Sequence, residues 1–534
     1  MKLQQTWLDN AIVQMFPKWG LRRMQYKAAI SSFSTYRGAE KNRLRSDWNP
    51  FGGSADSDLL HDLPTLRERS RQLDRDDVWA RSVFNTLTMN TIGTGLRPQS
   101  RVLVNEVSAN PDEVRAWQRA CERIWREHMP LLDSQRRMEG YAKQRLLFRS
   151  VLQSGDVLDV PIRKRVEGRR TIGICTETIE GDRLATPINL TTEQRARIRE
   201  GVELNADGMP IRYWVKKRHP GDVMLPTSGA VGQTNEFISY PARNSLGQPG
   251  VFHLYWMQRP GQTRGEPWLA PALSLFKDIG DTVEARVVAE RIAACFAAFV
   301  TRNDPFTTLQ NNTTAGQGGQ RLQQFEPGMI WYGEQGEDVK FGQPNFPGGD
   351  FEQFIKIIVK AIGAGTGLPY ELITKDFTDT TYTSARAALL EARRFFRCYQ
   401  QWFASQYLQP LWEMIILEAW ARGLLPNVDL LGPERSAWLQ ARWVAPAQGY
   451  VDPTKEVKAN LEAISGHLTT YSDVIAEQGK DWEEVFEQEA REAELREELG
   501  LDEQPEETPD PLDPNNIETQ ITDHIEETIG AGNP

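Results

Sequence analysis

The sequence predicts an α/β or α+β fold, a mixed body with a substantial sheet joined to long helices, and three observations carry that expectation. Between residues 155 and 260 short β-prone runs (VLDVPI, TIGICTETI, IRYWV, VFHLYWM) alternate with the turn clusters EGD, NADG and PGD, the punctuation of strands in a sheet. Two amphipathic helical patterns lie on either side of a loop-rich excursion near residues 303–349,. Acidic residues gather at the end of the chain. Asp481 to Pro534 holds nineteen Asp/Glu and two Arg, a net of −17, so the remaining 480 residues of a chain with net charge −11 carry +6.

Taken in order, Leu21 to Arg45 holds seven Lys/Arg and one Glu, a solvated face or flexible arm more readily than a nucleic-acid patch. Asp56 to Thr91 reads as two helices, the first from about Asp62 with Pro64 in its first turn, where the missing N–H does no harm. IGTGLRP ends the second. Residues 110–150 are helical again, with Trp117, Cys121, Ile124 and Trp125 on one face. After the β-prone region, Ala270 to Arg302 reads as one helix of some 33 residues, roughly 50 Å long, with Leu275, Ile279, Val283 and Val287 at i+4 spacing. A helix of that length needs a partner along it. The excursion contains NNTTAGQGGQ and an expected hairpin around GMIWYGEQGEDVKF. Asp350 then caps a second helix with Phe351, Phe354, Ile355, Ile358, Val359 and Ile362 on one face, broken by Gly363, Gly365 and Gly367,. Thr374 to Ser384 (TKDFTDTTYTS) is polar and free of glycine and proline. Ala385 to Arg422 forms another long helix, kinked at Pro410, on which Arg386, Arg393 and Arg397 fall within about 40° of one another. That stripe suits either an exposed solubilising face or a contact with a partner or anion. Further helices run from Val451 to Gln488, starting at Asp452-Pro453. The tail segment PEETPDPLDPNN cannot bury enough apolar surface to fold alone.

The chemistry is sparse. No GxxxxGK[ST] cradles a phosphate. Gly93-Thr94-Gly95 and the glycines at 363, 365 and 367 follow helical patterns, so helix termination explains them better than a dinucleotide fingerprint. No GxSxG elbow is present. The six histidines are scattered without HExxH spacing, and the four cysteines form no CxxC pair, which fits a reduced, intracellular site of assembly. The longest apolar run, Ile292 to Val300, is half of what a membrane span needs, and the N-terminus lacks the apolar core of a signal peptide. The expectation is therefore no catalytic residue, no metal and no cofactor. The alternative is a hydrolase or nuclease whose catalytic residues are not local in sequence.

Four blocks carry a resemblance. LRERSRQLDRDDVWARSVFNTLTMNTIGTGLRPQ, GQTRGEPWLAPALSLFKDIGD, AIGAGTGLPYELITKDFTDTTYTSARAALLEARRFF and GYVDPTKEVKANLEAISGHLTTYSDVIAEQGKDWEEVFEQ are similar, in that order, to blocks of the lambda-type portal proteins of tailed phages. The resemblance covers roughly Asp56 to Glu489. It implies a portal-type fold: an N-terminal arm at 1–55, an α/β wing at 56–266, a first stem helix at 267–302, a small β-containing clip at 303–349, a second stem helix at 350–373, a tunnel loop at 374–384, a long helix returning to the wing at 385–425, wing and crown helices at 426–489, and a disordered acidic tail at 490–534.

The resemblance also implies a role. Subunits, usually twelve, form a ring at one capsid vertex, through which double-stranded DNA is packaged and ejected without sequence specificity. The large terminase subunit docks first and the head–tail joining proteins afterwards. The major capsid and scaffold proteins are further partners, with assembly in the host cytoplasm and residence in the virion. Leu275, Ile279, Val283 and Val287 would pack in the stem against Phe354, Ile355, Ile358, Val359 and Ile362. The tunnel loop would line the channel with Thr374, Lys375, Asp376, Phe377, Thr378, Asp379, Thr380, Thr381, Tyr382, Thr383 and Ser384. On that reading the threonines offer hydroxyls without charge, Lys375 is offset by Asp376 and Asp379, and Phe377 and Tyr382 anchor the loop to the wall. Strong phosphate contacts multiplied around a ring would stall a sliding duplex.

Overall fold

A computed structural model describes residues 52–165, 171–224, 236–295, 298–300, 330–332, 351–378, 380–447, 449 and 452–499, with a few positions before 52. The chain divides into two units, Met1–Asp58 and Leu59–Pro534. In the first, the described residues end in a turn in which the Ser57 amide donates to Ser54 Oγ at 3.2 Å.

The second unit is mixed α+β. Helix α1 (Leu63–Asp76) has Pro64 in its first turn, and α2 (Val78–Thr91) is capped by Asp77, whose carboxylate accepts from the Ala80 amide. The first starts where the residues predicted, and the second ends before IGTGLRP as expected. Strand β1 (Arg97–Ser100) precedes α3 (Pro111–His128), which opens on a capping box between Asn110 and Glu113,. The stretch expected to be helical from 110 to 150 is broken by a turn after His128 and resumes as α4 (Gly140–Ser154). Trp117, Cys121, Ile124 and Trp125 do share the buried face of α3.

The expected substantial sheet is instead divided. Strands β2 (Asp156–Arg163) and β3 (Ile174–Glu180) pair with β8 (Phe252–Tyr255) in the order β3-β2-β8. Strands β4 (Ile198–Arg199), β5 (Val202–Leu204), β6 (Pro210–Lys216) and β7 (Phe237–Pro241) form a separate meander in that order. All of these pairings are antiparallel. Strand β2 is buried on both sides. Val157 joins the large helical core, while Leu158 and Val160 join a second cluster with Val202, Tyr213 and Val215. Period-two alternation puts Asp156 on the side of Leu158 and Asp159 on the side of Val157.

Helix α5 (Leu273–Cys295) is shorter than its pattern suggested. A 3₁₀ turn at Ala270–Ala272 opens it, it ends at Cys295 rather than Arg302, and it is about 35 Å long,. The apolar residues beyond Cys295 are recruited into β9 (Ala298–Val300), which pairs in parallel with β10 (Ile330–Tyr332). The expected hairpin is thus corrected in its first half: Ile330–Tyr332 is a strand, but Ala298–Val300 partners it. Its second half, like Asp350, lies outside the described residues.

Helix α6 (Phe351–Thr366) runs through Gly363 and Gly365, which were expected to break it. Gly367 stops it, with φ +72°, and the Leu368 amide returns to the Gly363 carbonyl at 3.1 Å, closing a Schellman turn. A one-turn helix α7 (Tyr370–Thr374) leads into α8 (Tyr382–Phe403), which starts three residues earlier than expected. The anticipated kink is a π-helical turn at Ala404–Leu408 placed just before Pro410, in the first turn of α9 (Gln409–Ala421). The wider turn accommodates a ring that would otherwise meet the carbonyl four residues back. Strand β11 (Ala441–Val444) pairs with β1. Helices α10 (Pro453–Ser465), α11 (Tyr471–Glu477) and α12 (Trp482–Glu498) complete the described chain. The acidic tail expected to be disordered from 490 is helical to Glu498. Asp481 caps α12 at two amides, and Glu483 and Glu484 sit favourably at its N-terminus,. Residues 500–534 lie outside the description.

The large core is aromatic at its centre. Trp125 packs 5.7 Å from Trp412 and 5.4 Å from Trp443. The Trp117 and Trp412 indoles donate to the carbonyls of Trp438 and Leu439.

Candidate functional site

The segment from Thr374 to Ser384 is held by a framework that its own sequence does not announce. Gly367 supplies the first constraint. A Cβ there would stand 2.8 Å from the Phe395 ring of α8, and its left-handed backbone favours glycine in any case. The α6 end is further tied by Trp268, whose indole donates to the Thr366 carbonyl at 3.3 Å. Helix α7 is then fastened to α2. Ser82 Oγ donates to the Ile373 carbonyl at 2.7 Å, and Thr86 Oγ1 donates to that of Leu372 at 3.2 Å. Thr86 Oγ1 also accepts from Lys375 Nζ at 2.5 Å, so one hydroxyl uses both its donor and an acceptor position. Lys375 takes φ +62° to close α7, and desolvation lowers its pKa.

The expectation that Asp376 offsets Lys375 is replaced by two separate arrangements. Lys375 reaches α2. Asp376 Oδ1 accepts from the Thr378 hydroxyl at 2.6 Å and the Thr378 amide at 3.0 Å, and these bonds hold its carboxyl below the usual range. The threonines are largely engaged within the segment. Thr374 Oγ1 donates to the Tyr370 carbonyl, Thr380 Oγ1 to Glu371, and Thr381 caps α8 through the Ser384 amide while sharing a hydroxyl contact with Ser384. Phe377 and Tyr382, expected to anchor the loop, are 46 % and 48 % exposed; the anchoring falls to Ser82, Thr86 and Lys375. Thr383 lies in the exposed first turn of α8. Asp379 lies outside the described residues. Among the described residues of the turn, Asp376 is satisfied within the segment, Lys375 is tied to α2, and the exposed groups include the rings of Phe377 and Tyr382 and the Thr383 hydroxyl.

The expected stem residues separate by depth. Ile279, Val359 and Ile362 are buried in the core, and Leu275, Val283, Ile355 and Ile358 pack against it. Val287 and Phe354 are 42 % and 48 % exposed. Arg286 of α5 stacks over the Phe351 ring of α6 at 5.9 Å. The two helices are therefore neighbours, and each becomes more exposed toward the excursion between them. Of the three stripe arginines, Arg393 donates to the Gly449 carbonyl at 2.8 Å and Arg397 pairs with Glu477 at 2.8 Å. With Arg386 they line a cleft of about 510 Å³ between α8, β11 and the C-terminal helices.

In two places among the described residues outside this segment, a histidine sits beside a carboxylate. Glu180, Asp182 and His219 bring one ligand atom each within 4.8 Å of one another. Both Asp182 oxygens accept from Arg71, and His219 Nδ1 accepts from the Gly221 amide. That bond leaves the proton on Nε2, which faces Glu180 at 3.0 Å. The corner thus combines the Arg71–Asp182 ion pair with a histidine whose Nε2, though near Glu180, makes no hydrogen bond. The other constellation is the His253–Asp156 pair. Asp156 is fully buried against Arg67 and Arg264, the latter shared with the Gly181 and Glu200 carbonyls. Despite burial, those two guanidiniums hold its carboxyl well below the usual range, while burial lowers His253. The pair is a core support out of reach of a substrate. Among the described residues no helix is long and apolar enough to cross a membrane.

Most of the chain is similar in sequence to known proteins. The family described as phage portal protein, lambda family, matches residues 41–400. The probable portal protein of Halomonas phage phiHAP-1 is 24 % identical over 463 residues, covering 85 % of each chain. The portal protein of Escherichia phage N15 is 23 % identical over 89 % of this chain and 93 % of its own. Portal protein B of Escherichia phage lambda is 23 % identical over 89 % and 92 %. A chain in the neck of an empty GTA particle, computed with C6 symmetry, aligns with a TM-score of 0.36 and 15 % identity over 78 % of this chain and 93 % of that one.

Proposed function

Because this chain belongs to the lambda family of phage portal proteins, we propose that it carries double-stranded DNA through its ring with the Thr374–Ser384 segment facing the passing duplex. A portal protein is a structural ring subunit of the virion. The observation that supports the finer reading is the order α5, excursion, α6, anchored turn, α8. Two neighbouring helices flank 303–349 as a stem flanks a clip, and the next segment is anchored to α2 and hydroxyl-bearing. Such a lining holds a polyanion weakly, because few cations are free to replace its counterions. Phe377 and Tyr382 present flat faces rather than charges. Lys375 is withdrawn to Thr86.

On this reading the ring is twelvefold, as closed cyclic symmetry permits, and the half-exposed Val287 and Phe354 meet neighbouring copies. The 303–349 segment is the platform for the large terminase subunit and later for head–tail joining proteins, the outer body meets the major capsid and scaffold proteins, and the chain turns over no substrate. Two measurements test the proposal. Light scattering and negative-stain imaging are expected to show a ring with a central hole. In a packaging assay, Thr383→Lys is expected to slow DNA movement severalfold, because one cation per subunit is repeated around the ring, whereas Thr383→Ser leaves the rate unchanged. Equal rates for the Lys and Ser variants in intact rings would remove the segment from the channel.

A further inference from the structure

The arginine stripe on α8 belongs to a wider face. Arg397 pairs with Glu477, Arg442 of β11 with Asp473 at 2.8 Å, Arg126 of α3 with Glu484 at 3.2 Å, and Arg119 with Glu487 at 3.1 Å and Glu483 at 3.6 Å. In these pairs every cation is an arginine of the body, and every anion lies in α11 or α12. Apolar burial beneath those helices is slight. No residue of α10 or α12 is buried, and Ala476 is the buried residue of α11. A second cleft of about 620 Å³, lined by Arg97, Arg126, Tyr141 and Glu484 among others, separates α12 from α3. Gly479, at φ +70°, forms the bend between α11 and α12.

This attachment is ionic and solvent-exposed, so each pair contributes little and is screened by salt. Carboxylates arrayed along a helix over guanidinium groups occupy the positions that phosphate oxygens would take, since arginine's planar fork matches both. We propose that this arginine face is a second DNA-phosphate surface, covered in cis by the acidic helices α11 and α12, and that duplex DNA and these helices compete for it. The proposal rests on the reading of DNA as the cargo but not on the 374–384 segment. Free duplex in solution needs no channel, so the two can fail separately.

The test uses the full chain and a short fluorescent duplex at low ionic strength. Combined Glu477→Gln, Glu483→Gln, Glu484→Gln and Glu487→Gln substitutions are expected to tighten duplex binding roughly tenfold by raising the uncovered fraction. Amide exchange in 471–498 is expected to accelerate in the same variant. Adding Arg119→Gln, Arg126→Gln, Arg397→Gln and Arg442→Gln should remove the gain. A control with the same charge change elsewhere, at Glu106, Glu193, Asp207 and Asp222, is expected to gain about twofold or less. The proposal falls if the control gains as much, if the gain survives loss of the arginines, or if neutralising the helices leaves duplex binding unchanged. It also falls if a synthetic 500–534 peptide displaces the helices and the duplex does not, which would assign the face to the chain's own acidic segment.

Discussion

The contacts around Asp156 and those beneath the C-terminal helices use the same two groups, guanidinium and carboxylate, at opposite ends of burial. Asp156 is enclosed by Arg67, Arg264 and His253, and Arg67 also donates to the Ser154 carbonyl at 2.7 Å. Every partner there is fixed by α1, the end of α4, β2, β8 or the loop before α5. Arg126–Glu484 and Arg397–Glu477 are more than half exposed on both sides. Burial makes the first set hard to break, because removing one member strands an unsatisfied charge in a poor dielectric. Exposure makes the second easy to break, because water and salt replace the lost partner. One chemistry thus serves a permanent joint in the body and a releasable cover at its C-terminal edge.

The comparison is broken most directly at its buried end. Asp156→Ala is expected to lower unfolding stability by about 3–5 kcal/mol, read by chemical denaturation; a loss below about 1 kcal/mol would put the two regions on the same footing. Acid sharpens it next. Burial lowers the His253 pKa in the fold from 6.5, so as pH falls the unfolded chain gains a proton there first. Stability from this group is complete above about pH 6.5 and declines as pH falls below it, and Asp156 adds a second loss as pH falls through its depressed pKa,. Thermal melts of His253→Gln should lose the first decline and keep the second.

The releasable region is expected to run the other way. Burial raises Glu122 on α3 from 4.5 to about 7, and Asp481, Glu483 and Glu484 add to the rise against the opposing Ser100 hydrogen bond. Its proton is therefore held when α12 is docked. The contribution of Glu122 to docking is complete below about pH 4.5 and is lost as pH rises toward 7,, while Arg97, Arg126 and Lys480 line the same cleft as the countering cations. Amide exchange of 482–498, corrected for intrinsic rates, should show that drift in the parent and not in Glu122→Gln. The smallest effect is at a single exposed pair. Glu484→Gln should change global stability by less than about 0.5 kcal/mol, and added salt should accelerate exchange in α12 while leaving β2 amides unaffected.

The outline of this molecule was legible because much of it is local. Pro64 in a first turn, Asp452 before Pro453, and the buried face of Trp117, Cys121, Ile124 and Trp125 each depend on residues within a few positions. Period and capping report such features directly. Errors arose where a distant partner overrode local preference. The residues beyond Cys295 look helical but pair with Ile330–Tyr332 as strand. Gly363 and Gly365 look like breaks but remain helical, with Val359 and Ile362 beside them in the core. The sheet looked single because alternation along a strand does not say which strand lies beside it.

The candidate site follows the same division. Thr374 to Ser384 stood out by composition, and the family could be read from four ordered blocks, so sequence by itself determined the class of protein and the position of its distinctive turn. The anchors were not legible. Ser82 and Thr86 lie almost 290 residues away, and an isolated hydroxyl on an otherwise ordinary helix carries no signal of what it will meet. The sequence also set the charge of each arginine and carboxylate. Only the tertiary structure decided which would be sealed in the core and which left at the surface, because the energy of a charge depends on the solvent excluded around it, and that is fixed by the packing of elements far apart in the chain.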